Sequence, residues 1–260
     1  MSYKIVVTGA SSGIGRASVL ELVKSGHEVL ALARRKPELE SLQKEVQAII
    51  GESKKGFPLK IATVDLTSSA SIDELFKTQE NFLSQTQVLL NNAGLALGRE
   101  PFQESQIEDI EKMISTNVTA LLKLTRKILP SMMGKNFGHI VNLGSIAGIQ
   151  SYLSGTVYCA TKAAVHMITD CLRLDLAGSG IRVSTIAPGR VAETEFSMVR
   201  FKGDEARAKS VYEGFRVMTA EDVARTIAWV INQPPHINIQ EIVLMSTDQP
   251  DARSVVPLKN

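Results

Sequence analysis

Tyr158 and Lys162 stand four residues apart in the stretch GTVYCATKAAV, Gly155–Val165, which is otherwise small and apolar. On a helix that spacing places a phenol and an ammonium on one face, one turn apart. A free phenol has a pKa of about 10, too high to serve readily as a base at neutral pH. Moving it to about 7 takes about 4 kcal/mol of preferential phenolate stabilisation. A nearby ammonium with little water between can supply much of that, so the pair could take up and release a proton. Tyr212 and Arg216 repeat the spacing in a charged segment, so spacing alone does not select the first pair. The surroundings must decide.

The β-rich runs KIVVT, EVLALA, LKIATV, QVLLN, HIVNLGS, RVSTIAP and EIVLM alternate with longer amphipathic stretches. This alternation predicts repeated βαβ units: an α/β, single-domain, doubly wound Rossmann fold with a seven-stranded, mostly parallel sheet and helices on both faces. The strands are apolar on both faces, as helices on both sides require. No linker or repeat divides the chain, so residues 1–247 read as one domain and 248–260 as a C-terminal tail. Thr194–Gly214 is charged and poorly periodic, and reads as a lid inserted over a site.

Composition narrows the function classes. The formal net charge of +2 and the absence of a Lys/Arg-rich block argue against nucleic acid or an anionic membrane as partner. No apolar run approaches the ~18 residues of a membrane span, and MSYKIVVTGA carries no signal-peptide pattern. The expected location is the cytoplasm. Cys159 and Cys171 fall on one predicted helix, ~18 Å apart and beyond disulfide reach, and read as reduced core thiols. His27, His139, His166 and His236 show no metal-ligand spacing, so no metal is expected and polar surface or core roles are assigned to them.

In an open parallel sheet, ligands bind beyond the C-terminal strand ends. The first such loop, TGASSGIGRA, holds Gly9, Gly13 and Gly15. Gly9 permits a tight turn, Gly13 lets backbone approach a pyrophosphate, and Gly15 allows close helix–strand packing. The helix that follows offers free N–H groups to phosphate. Strand two ends in Ala33, Arg34 and Arg35. An acid there would suit the ribose hydroxyls of NAD, whereas guanidiniums suit the 2′-phosphate of NADP. The alternative is two solvated arginines opening a surface helix. Asp65, ending strand three, could accept from an adenine amino group or cap the next helix.

The motifs TGASSGIG, NNAG (Asn91–Gly94), Asn117 in STNVTA, Ser145 in NLGSIAG, the Tyr158–Lys162 pair and APG (Ala187–Gly189) occur in one order. In this order the chain resembles the short-chain dehydrogenases/reductases, which implies an NADP-dependent oxidoreductase interconverting an alcohol and a carbonyl by hydride transfer. The resemblance makes Ser145, Tyr158 and Lys162 a catalytic triad and Asn117 its fourth member. Lys162 would lower the tyrosine pKa and hold the nicotinamide ribose. Ser145 would bond the substrate oxygen, and Asn117 would anchor a water linking Lys162 to solvent. Cofactor contacts are implied for Gly9, Ser11, Ser12, Gly13, Ile14, Gly15, Arg34, Arg35, Asp65, Leu66, Asn92, Ala93, Gly94, Tyr158, Lys162, Pro188, Gly189 and Val191. The family usually forms homotetramers, through helices around 105–133 and 157–177.

AETEFSMVRFKGDEARAKSVYEG and INQPPHINIQEIVLM narrow the resemblance to the NADP-dependent 3-hydroxy acid dehydrogenases, which include serine and allo-threonine dehydrogenases and malonic semialdehyde reductases. Arg190–Glu193 is one residue longer than in many family members, and the tail ARSVVPLKN departs from the group. A broader carbonyl or 3-oxoacyl reductase and a non-catalytic NADPH-binding regulator are the alternatives. The intact Asn–Ser–Tyr–Lys set argues against the regulator. Ile149, Gln150, Tyr152 and Arg190 follow the motif positions and are candidates for the substrate pocket, with Ser145 on the reacting oxygen. A carboxylate entering a partly dry pocket needs a cation. Arg190, Arg200 and Lys202 are the choices, and Arg200 is favoured because its stretch most resembles the acid-specific group.

Overall fold

A computed structural model describes residues 2–51, 57–192 and 194–258, and each of the β-rich runs is a strand in it. The first half of the chain forms β1 (Lys4–Thr8), α1 (Gly13–Lys24), β2 (Glu28–Ala33), α2 (Lys36–Ile50), β3 (Leu59–Thr63), α3 (Ser69–Thr78), α4 (Glu80–Leu83) and β4 (Val88–Asn91). After it come α5 (Ile107–Ile114), α6 (Ala120–Met133), β5 (Gly138–Leu143), α7 (Thr156–Asp175) and β6 (Ile181–Pro188). Last are α8 (Phe196–Arg200), α9 (Glu205–Ser210), α10 (Ala220–Ile231) and β7 (Glu241–Leu244).

The strand order is β3-β2-β1-β4-β5-β6-β7, and every pairing between these strands is parallel, not merely most of them. Alternation along the strands assigns the two faces. Ile5, Val7, Leu90 and Val141 pack under α1 and α10 with Val19, Leu22, Val223 and Ile227. Val6, Leu89 and Ile140 point the other way, onto Leu124, Ile128 and Met132 of α6. Local signals start the helices: Ser68 caps α3, and Thr219 with Asp222 forms a reciprocal capping box on α10.

The strand order reverses between β1 and β4, where the chain returns from the β3 edge to the sheet centre. At this switch point a cleft lies above the C-terminal strand ends. Between α5 and α6 the helix widens into one π turn, Ser115–Thr119, which carries Asn117 into the protein.

Candidate active site

A cleft of about 460 Å³ lies above the strand ends and is covered by the segment around α8 and α9. Gly9 and Gly13 have φ of +66° and +51°, in the left-handed region open to glycine. Gly15 lies beneath the loop, where a Cβ would stand 2.4 Å from both the Gly9 carbonyl and Asn92 Nδ2. Asn92 donates to the carbonyl of Thr8 (2.8 Å), and Thr8 Oγ1 accepts from the N–H groups of Asn92 and Ala93 (2.9 Å each). The loops after β1 and β4 are thereby fastened together. Asn91 supports the sheet centre through Thr125 and Asn142, both at 2.9 Å.

At the far end of the cleft, Arg35 donates from Nη1 and Nη2 to the two carboxylate oxygens of Glu195, and from Nη2 to Ser11 Oγ at 3.0 Å. Its fork lines the cleft and is filled by Glu195, the residue just before α8. This ion pair holds the Glu195 carboxyl below its ordinary pKa. Arg34 is exposed along the same wall. Asp65 does not cap α3, a position Ser68 takes; it accepts instead from the backbone and side chain of Thr67.

At the chemical end, α7 carries Tyr158 and Lys162 up to β5. Lys162 is buried (6% exposed), donates from Nζ to the Leu143 carbonyl at 2.7 Å and sits 6.0 Å from the centre of the Tyr158 ring. Burial pushes its pKa down to about 8. The Tyr158 phenol moves up from its ordinary value, chiefly through burial and secondarily through Tyr152, while Ser145 and Arg200 beside it pull the other way. The lowered phenol expected from the pair is therefore not seen in the protein alone. Lys162 directs its charge at a carbonyl, and desolvation of the phenol wins.

Ser145 follows β5; its Oγ accepts from Ala147 N (3.1 Å) and donates to the Pro188 carbonyl (3.4 Å). Asn117 is 2% exposed and stands behind the cleft wall. It accepts from Leu95 N (2.8 Å) and donates to the Leu95 carbonyl (2.8 Å) and to Thr161 Oγ1 (3.0 Å). A Cβ at Gly94 would lie 3.2 Å from Asn117 Oδ1 and 3.7 Å from Lys162 Nζ, so glycine lets the NNAG turn pass close over both.

Of the predicted residues, Ser11, Ser12, Ile14, Leu66, Ala93, Pro188, Gly189 and Val191 also line the cleft, as do Tyr152, Arg190 and Arg200. Gln150 and Ile149 do not. The Gln150 side chain turns to the tail and accepts from Ala252 N at 3.0 Å, while Ile149 is exposed. Lys202 is drawn off to Asp109, 2.7 Å away on α5. Cys159 is buried, but Cys171 is exposed and is not a core thiol. Glu193 lies outside the described residues.

Arg200 ties the end of α8 to the loop after β4 and to Tyr152. Its Nε donates to the Gly98 carbonyl and its Nη1 to Tyr152 Oη, both at 3.0 Å, and its guanidinium stands 5.9 Å from the Tyr158 ring centre. Sequence reading missed Arg99, Glu195, Gln249 and Ala252, which also line the cleft. Gln249 Oε1 accepts from Arg190 N at 2.8 Å. Asp248, just before it, is fastened by both ends of the Arg216 guanidinium. The start of the tail is thus part of the wall.

Residues 3–205 match the short chain dehydrogenase family, to which the chain belongs. It is 42% identical over 245 residues to the NADP-dependent 3-hydroxy acid dehydrogenase YdfG of Escherichia coli, covering 94% of this chain and 95% of that one. It is 40% identical over 249 residues to the serine 3-dehydrogenase of Agrobacterium fabrum, covering 96% of each. A solved closed form of serine dehydrogenase complexed with NADP+ superposes with a TM-score of 0.88 at 40% identity, over 97% of both chains. No helix among the described residues is long and apolar enough to cross a membrane.

Proposed function

We propose that the protein is an NADP-dependent dehydrogenase of short 3-hydroxy acids, with Tyr158 as its proton-transfer group. The observation that carries this reading is the charge distribution of one cleft. Its acids, Asp65 and Glu195, lie toward the Arg35 end, whereas Lys162, Arg99, Arg190 and Arg200 line the end that holds Ser145 and Tyr158. Such a lining suits a substrate whose carboxylate is separated from the reacting carbon by one carbon. The relatives named above are dehydrogenases of the same class.

The residues present fit the dinucleotide. The positive-φ glycines and the start of α1 would hold its pyrophosphate, Arg35 and Arg34 its 2′-phosphate, and Lys162 its nicotinamide ribose. Bound there, the cofactor supplies or accepts the hydride. Ser145 Oγ would hold the substrate oxygen and stabilise charge developing on it. In reduction, Tyr158 Oη would give its proton to that oxygen, and burial already favours the protonated phenol required. Oxidation needs the reverse transfer, for which the Lys162 ammonium would have to favour phenolate. Arg200 would meet the substrate carboxylate, since its place beside both Tyr152 and Tyr158 puts it nearer the chemistry than Lys202.

A homotetramer is also proposed, supported by exposed Ile107, Ile114 and Leu122 on α5 and α6 and exposed Met167 and Leu174 on α7. A cytoplasmic location is proposed from the two free thiols. Initial rates with serine, allo-threonine and 3-hydroxypropionate, against a neutral alcohol of similar size, test the substrate class. The acids should have kcat/KM at least about tenfold higher, and preference for a neutral ketone or a carrier-bound 3-oxoacyl group would establish the broader reductase instead.

A further inference from the structure

His166 lies on α7 four residues beyond Lys162 and eight beyond Tyr158, on the face they share. Its Nδ1 is 2.6 Å from Glu241 Oε1 on β7. Its Nε2 is 3.1 Å from the Ser145 carbonyl oxygen and 3.4 Å from the Ser145 nitrogen. The fold makes room for this ring: a Cβ at Gly144 would lie 2.6 Å from Nε2, and one at Gly148 would lie 2.7 Å from Cδ2. No role in the proposed chemistry uses the imidazole, yet it grips the main chain of the serine that would hold the substrate oxygen.

We propose that His166, held by Glu241, is a positioning residue that fixes the backbone of Ser145 and hence the place of its hydroxyl. This rests on the reading of Ser145 given above. Ser145 Oγ is met by Ala147 N at 3.1 Å, by the Pro188 carbonyl at 3.4 Å and by the Tyr158 side chain, and the main chain that carries it sets where it stands among them. The carboxylate of Glu241 can only accept, which keeps the proton on Nδ1. Nε2 faces the Ser145 main chain. In the imidazolium it donates to the Ser145 carbonyl at 3.1 Å; in the neutral ring it can only accept from Ser145 N–H at 3.4 Å, a length at which a hydrogen bond is weak.

The titratable groups on the elements packed against His166 are few. Glu241 is in contact, Lys162 Nζ is committed to the Leu143 carbonyl, and Tyr158 lies in the cleft. Asp170, one turn further along α7, is tied to Arg173. His139 and Arg182 sit at the opposite ends of β5 and β6, where they bond to Ser184 and to carbonyls after α10.

The test compares His166→Ala, His166→Gln, Glu241→Gln and Ser145→Ala in the intact protein by kcat, NADPH Kd and thermal stability. His166→Ala should lose about tenfold or more in kcat with NADPH Kd unchanged. His166→Gln, whose amide can still donate, should recover most of that loss. Glu241→Gln, which exchanges the carboxylate accepting from Nδ1 for a neutral amide, should lose part of kcat with NADPH Kd unchanged. Wild-type kcat in His166→Ala, beside an inactive Ser145→Ala, would overturn the positioning role alone. Parallel loss of kcat, NADPH affinity and thermal stability in His166→Ala, without rescue by Gln, would reduce the residue to ordinary packing. Full activity in Ser145→Ala would overturn both the reading of the serine and the role built on it.

Discussion

Lys162→Met should make the protein more stable and inactive. The ammonium is 6% exposed and has given up most of its hydration. The fall in its pKa from 10.5 to about 8, caused by burial, corresponds to about 3 kcal/mol of unfavourable folding free energy while the group is charged in both states. Methionine removes that term and keeps most of the side-chain volume. It also leaves the Leu143 carbonyl without the 2.7 Å bond from Nζ, a loss of about 1–2 kcal/mol. The net gain is about 1–2 kcal/mol, or roughly 3–6 °C in Tm for a chain of this size. The pH dependence follows from the direction of the shift. Below about pH 8 the folded and unfolded lysine are both charged and the full penalty applies; between about 8 and 10.5 only the unfolded state keeps its proton, so wild-type stability rises with pH. The advantage of the variant should accordingly be largest near pH 7 and shrink by pH 9.5. Calorimetry of the ligand-free proteins at these two pH values measures it. A variant less stable than wild type at pH 7, or a difference that does not change with pH, would refute the reasoning.

Arg35→Ala should raise the Kd for NADPH at least about tenfold while changing that for NADH less than about twofold, as measured by fluorescence titration. Equal losses would make Arg35 structural. Glu195→Gln takes away the carboxylate now filling the Arg35 fork, and the exposed pair is worth about 0.5–1 kcal/mol. NADPH should therefore bind about two- to fivefold more tightly, with NADH unaffected, and no change in either would show that the lid acid does not compete. Arg200→Met should raise KM for the 3-hydroxy acid about tenfold, a loss of about 1.4 kcal/mol, and leave a neutral substrate nearly unchanged. An unchanged acid KM would move the carboxylate contact to Arg190.

The parts of the site legible in the sequence are those whose geometry is local. Tyr158 and Lys162 are one helical turn apart, Gly9 and Gly13 bound one loop, and Ser145 and Asn92 follow strands whose apolar runs mark their own ends. The sheet was legible for the same reason, since each strand alternates with a helix of recognisable pattern. What was not legible depends on chain segments that meet only when folded. Glu195 reaches Arg35 across 160 positions, and Gln249 bonds to Arg190 across 59. His166 carries no motif, because its partners lie on β7 and in the loop after β5. Gln150 followed the motif spacing, but only the fold shows it turned to Ala252. The burial that raises the Tyr158 phenol in the protein alone was not legible, because charge proximity can be read from spacing, whereas burial and the carbonyl bonded to Lys162 cannot.

Single-turnover reduction by bound NADPH, compared between wild type and Tyr158→Phe, tests the central claim most directly. The phenylalanine ring keeps the packing against Phe196 but has no proton to give. NADPH should bind as in wild type, and oxidation of the bound NADPH by a 3-oxo acid should slow by about 10²–10⁴-fold. A variant that binds NADPH and reduces the acid at a rate close to wild type would contradict the assignment of Tyr158 as the proton-transfer group.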